Sequence, residues 1–180
     1  MKIKLLLLAL IVSAMAFSQN SGTVTVNLIF KPIQSIEVNS TQKNVDLIYD
    51  TKDDYQNGVT SLQSNHLKVF STGGFNIKVN ADGDFKNSAS KTINSSDMTL
   101  LATAGSNNKE NKFTTKPINL SHSNQILVTS NGGGKDIYFN IEYSLQNDKG
   151  KNNNYVNKYK STDRNKATYT AQVMYTIIPN

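Results

Sequence analysis

The chain carries two histidines, His66 and His122, and no cysteine. Ser121 and Ser123 flank His122, so the residue types of a nucleophilic hydrolase meet in one tripeptide. A Ser–His–Asp device also needs a positioned carboxylate and an oxyanion site. No motif such as G-x-S-x-G marks either one, so no catalytic residue is assigned and the chain reads as non-enzymatic. Neither histidine has a thiol or a second histidine at ligand spacing, which excludes a zinc motif. Asp50, Asp53, Asp54, Asp82 and Asp84 put carboxylates where turns are expected. A calcium loop needs a D-x-D-x-D-G arrangement that is absent, whereas short carboxylates commonly cap turn backbone. No metal or cofactor is expected.

One stretch combines cations with aromatic rings. Lys149, Lys151, Lys158, Lys160, Arg164 and Lys166 interleave with Tyr155 and Tyr159. Such a set can hold an acidic glycan or another polyanion, and it is also the composition of a solvated loop. No nucleic-acid-binding module accompanies it, so envelope polysaccharide is the expected polyanion and nucleic acid is not.

These residues must be held by β-structure. Residues 167–179 alternate, with Tyr169, Ala171, Val173, Tyr175 and Ile177 on one face and mostly polar residues between them. Period two with aromatic and β-branched residues means a strand with one buried face. Residues 23–30 alternate in the same way, placing Val24, Val26, Leu28 and Phe30 inward. Pro32 makes this an edge strand or a bent one, resuming over residues 33–38. Residues 45–49 read as a short strand, and residues 53–58 as a turn closed by Asn57-Gly58. Residues 66–72 and 75–81 flank Gly73-Gly74 and predict a hairpin burying Leu67, Val69, Phe75, Ile77 and Val79. Further strands are expected over residues 92–102, 117–121, 125–130 and 137–145. A polar loop is expected over residues 104–112 and a turn at residues 131–134. Nine or ten short strands with no helical period predict an all-β fold, a two-sheet antiparallel β-sandwich of Ig-like or Greek-key type.

The N-terminus has a different purpose. Lys2 and Lys4 precede an unbroken apolar run from Leu5 to Val12, and small residues follow. Ala14-Met15-Ala16 and Ala16-Phe17-Ser18 both fit a cleavage site, so residues 1–18 are expected to be a secretory signal peptide and residues 19–180 one domain. The absence of cysteine excludes a disulfide framework and a lipid-anchored Cys. About 160 residues are enough for a core that is stable without disulfides. Removing Lys2 and Lys4 from the 19 basic residues leaves 17 against 13 acidic, net +4. Mild basicity fits solubility or an anionic envelope partner. No later stretch is a transmembrane helix, although a small outer-membrane barrel would share the alternating strands.

Gly74-Phe75-Asn76-Ile77-Lys78-Val79, with Asp84-Phe85 and Met98-Thr99-Leu100 after it, resembles the first motif region of WxL-type cell-surface domains. Residues 169–177 resemble their C-terminal strand. The Trp-x-Leu positions correspond to Phe75, Ile77, Tyr175 and Ile177, aromatic-x-aliphatic without tryptophan. The end of the leader and the strand pattern are also similar to Bacteroidetes fimbrial-subunit-like secreted sandwiches. Either resemblance implies a secreted, periplasmic or cell-surface module with a structural or adhesive role. Its partners would be other surface proteins or cell-envelope polysaccharide.

Overall fold

The computed structural model describes residues 21–108, 113–145 and 167–180. The expected leader, residues 1–18, and the cation–tyrosine stretch, residues 149–166, lie outside them. The chain divides into two units, Met1–Lys31 and Pro32–Asn180.

Pro32–Asn180 is an antiparallel β-sandwich, as the alternation predicts. One sheet has the order β1-β2-β10-β6-β8, formed by Gln34–Val38, Val59–Ser71, Gly134–Leu145, Thr99–Ala104 and Ile118–Asn119. The other has the order β11-β3-β9-β7, formed by Val173–Pro179, Phe75–Ala81, Gln125–Ser130 and Phe113–Thr115. A two-stranded ribbon pairs β4, Phe85–Lys86, with β5, Thr92–Ile93. β3 shows the cause plainly: its residues alternate buried and half-buried from end to end.

The core lies between the two inner faces. Leu67, Val69, Leu100, Phe139 and Ile141 from the first sheet meet Phe75, Ile77, Val79 and Val128 from the second, all at 0% exposure. Fully burying each such side chain contributes about 1.5–3 kcal/mol. Phe139 is the hub, edge-on to Phe75 at 6.3 Å and to Phe113 at 5.0 Å between ring centroids.

The hairpin expected across Gly73-Gly74 does not form. The five residues expected inside are all buried, but β2 and β3 belong to different sheets. The Gly-Gly turn is an arch that carries the chain from one layer to the other. A second arch joins β9 to β10 in the reverse sense. Both read Ser-x-Gly-Gly, and the serine hydroxyl donates to the carbonyl two residues on: Ser71 to Gly73 at 2.7 Å and Ser130 to Gly132 at 2.9 Å. The arches nest so closely that a Cβ on Gly133 would stand 2.2 Å from the Ser71 carbonyl oxygen.

Other expectations need correction. Residues 23–30 form no strand, and Val24, Val26, Leu28, Ile29 and Phe30 are 77–89% exposed rather than inward. Residues 45–49 are also not a strand. Val45, Leu47 and Tyr49 pack against the core without joining a ladder. Residues 53–58 are not simply a turn, because Lys52–Asn57 forms a short helix, α1. Thr51 and Asp54 make a reciprocal capping box at its start, and Gly58 ends it at φ 83°. The Asp54 carboxylate accepts from the Thr51 and Asp50 backbone, which holds it below the usual carboxylate range. The last strand begins at Val173 rather than residue 167. Before it, Thr170 makes an isolated bridge to Lys86.

Candidate functional site

Two bulges in the β2–β10 ladder decide where the polar side chains point. The register shifts between Gly134 and Ile137 and again between Phe139 and Ile141. Asp136 and Asn65 sit at these shifts with φ 52° and 50°. Bulges of this kind insert unpaired residues and re-aim side chains. Asn140 locks the second one: its Oδ1 accepts the Asn65 N–H at 2.8 Å and its amide donates to the Ala104 carbonyl at 2.7 Å. At the first, Lys68 pairs with Asp136 at 2.9 Å, which lowers the carboxyl and raises the ammonium.

The Asn65 bulge puts His66 and Leu67 side by side in the interior. His66 is 2% exposed. Its Nδ1 lies 3.0 Å from Gln42 Oε1 and its Nε2 lies 2.9 Å from the Tyr143 hydroxyl, itself 2.6 Å from the Tyr175 hydroxyl. Gln42 Nε2 donates to the Ser64 carbonyl, so its Oε1 faces the ring and can only accept. A neutral His66 therefore donates from Nδ1 and accepts at Nε2 from Tyr143, which accepts from Tyr175. This chain of bonds ties the two sheets together. Burial pushes the Tyr143 phenol up to about 12 and the Tyr175 phenol well above its ordinary range, so both stay neutral donors.

Burial also holds His66 below its ordinary value of 6.5. The unfolded chain then binds more protons just below pH 6.5, so the His66 contribution to stability is present above pH 6.5 and is lost as pH falls through the folded value. The thermal midpoint is expected to fall between pH 7 and pH 5, with the slope reduced in His66→Gln. The depressed carboxylates Asp54, Asp84 and Asp136 act only below their unfolded value of 3.8 and leave this window clear. Melting curves across pH 5–8 check it; an unchanged slope in His66→Gln would refute it.

The second polar cluster is an open cleft of 280 Å³ lined by Asp84, Asn94, Ser95, Ser96, Leu120, Ser121 and His122. Asp84 Oδ1 accepts the Ser95 N–H at 2.9 Å and the His122 Nε2–H at 3.1 Å. Those two bonds, the first chiefly, hold its carboxyl below the usual range. The Ser121 hydroxyl is engaged with Ser123, at 3.1 Å from its hydroxyl and 3.2 Å from its amide. His122 thus braces the 82–84 turn against the 121–123 turn, and Ser121 braces its own turn. Neither bond aims a base at a nucleophile.

Compared with protein-family models and with curated proteins, the sequence matches none. Phe75, Ile77, Tyr175 and Ile177 lie on neighbouring strands. Phe75 and Ile77 lie on β3, Tyr175 and Ile177 on its neighbour β11, and Ile177 stands opposite Ile77. Both β3 residues are fully buried, while Tyr175 and Ile177 are partly buried and pack on the core. Asp82 accepts the Gln172 N–H at 2.9 Å and so ties its turn to the segment before β11. Among the described residues no group of three metal-ligating side chains converges, and no helix is long and apolar enough to cross a membrane. Alternation places Tyr143 on the inner face of its strand but gives it no polar partner, and nothing in the sequence singles out Gln42 or Asn140. Their roles arise at the second bulge, where neither strand carries a glycine to announce it.

Proposed function

We propose that this protein is a secreted or cell-surface sandwich module with a structural or adhesive role, non-enzymatic, acting by assembly with other envelope proteins. The observation that carries this reading is the exposed apolar run Val24, Val26, Leu28, Ile29 and Phe30. An uncharged apolar surface of this kind marks a site of interaction. The bonding of both histidines adds support, since His66 fastens the two sheets and His122 fastens two turns. The expected leader supports export. Cell fractionation with antibody labelling of intact cells tests the reading. The protein is expected outside the cytoplasm and labelled on unbroken cells; retention in the cytoplasm would overturn it.

A further inference from the structure

β1 of the first sheet lies alongside β11 of the second, so the two sheets close on each other along a seam. His66 is fastened to both sides of it. On the β1 side its carbonyl accepts the Asn39 N–H at 2.8 Å, and its Nδ1 bonds Gln42 Oε1 in the single helical turn that follows. On the β11 side its Nε2 reaches Tyr175 through the Tyr143 hydroxyl, over gaps of 2.9 and 2.6 Å. Both tyrosine rings also stand edge-on to the imidazole. With His66 neutral, the two phenol hydrogens fill the two gaps between Nε2, Tyr143 and Tyr175, one in each. A proton on Nε2 makes three hydrogens for the same two gaps, and Gln42 Oε1 already takes the hydrogen of Nδ1. Whichever way the hydroxyls turn, one hydrogen is left over, because neither phenol has another hydrogen-bond partner among the described residues. A buried donor without an acceptor is destabilising, and so is a buried charge without a counterion.

We propose that His66 is an acid-released clasp, whose protonation opens the β1–β11 seam while the rest of the sandwich stays folded. Among the described residues no charged side chain faces the ring to neutralise it. Glu37 on β1, and Lys43 and Asp46 after it, are exposed. Lys68 on β2, Lys78 on β3 and Glu142 on β10 stand between buried neighbours and so point outward. β6 and β11 carry no charge. Tyr143 and Tyr175 are the titratable groups that do face the ring, and burial keeps both phenols neutral in acid. The seam is the part that yields. β10 is held by ladders on both sides, to β2 and β6, whereas β1 and β11 each have a ladder on one side among the described residues. Val173, Tyr175 and Ile177 of β11 are also only half-buried. Burial is what holds His66 below its ordinary value of 6.5, so the clasp is shut at neutral pH. Opening wets the ring and restores its ordinary affinity for a proton, so acid below pH 6.5 favours the open seam.

Hydrogen exchange of the full chain tests this, read strand by strand from pH 8 to pH 5 and corrected for the intrinsic pH dependence of exchange. Amide protection in β1 and β11 should be flat above pH 6.5 and fall below it by up to about tenfold per pH unit, down to the folded value of His66. β6 and β9, away from the seam, should keep theirs. The response should survive in His122→Gln, whose ring is exposed, and vanish in His66→Gln. Equal loss of protection in all four strands overturns the proposal, because it means that the whole fold opens. So does unchanged protection in β1 and β11, or a loss that persists in His66→Gln. A loss already under way between pH 8 and pH 7 overturns it as well. That last comparison needs only the parent chain, so it decides the matter even where His66→Gln does not fold.

Discussion

Phe139→Ala is expected to lower the unfolding free energy by about 3–5 kcal/mol, the range for truncating a large buried aromatic. Phe139 is 0% exposed and lies edge-on to Phe75 from the opposite sheet and to Phe113 from β7. Its removal leaves a cavity between two sheets whose positions are set by their ladders, so the walls cannot close fully around it. Phe139→Leu keeps most of the volume and should cost distinctly less. Chemical denaturation measures both. Equal midpoints for Phe139→Ala and the parent would show that the ring is not the hub of the core.

Gly133→Ala is expected to cost about 3 kcal/mol, the upper end of what overpacking does, although it adds one methyl group at a surface turn. The new carbon would lie 2.2 Å from the Ser71 oxygen, 2.7 Å from the Gly73 nitrogen and 2.8 Å from the Thr72 carbonyl carbon. All three neighbours are backbone, so no flexible side chain can move aside. Gly132→Ala is the control, because a Cβ there meets nothing within 4 Å. A pair of denaturation curves decides between them. Similar midpoints for the two variants would mean that the arches do not nest as described.

The parity of the buried residues was legible along most of the chain. Phe75, Ile77 and Val79, and likewise Ile141, Tyr143 and Leu145, lie inside as alternation requires. On the last strand the order of half-buried and exposed residues persists from Tyr169 to Ile177, even where the ladder has stopped. Local signals were weaker where one motif serves two purposes. Thr51-Lys52-Asp53-Asp54 caps a helix with the same side-chain bonds that it would use to close a turn, and only the following backbone distinguishes the two. Gly73-Gly74 permits a tight turn whether the strands on either side pair or separate.

Local pattern was enough for the all-β class and the buried face of the main strands. These are local properties: a strand has period two, and each apolar face must leave water. Long-range packing chose which strands share a sheet, because hydrogen-bonded neighbours are selected by distant partners competing for the same edge. It turned the Gly73-Gly74 hairpin into an arch and left residues 23–30 without a ladder despite their regular alternation. The polar interior was decided at the same level. His66 lies on the outward parity of β2, and a shift opposite Asn140 brings it inside to meet Tyr143 and Tyr175. A bulge is a mismatch between two strands, and neither strand alone records it.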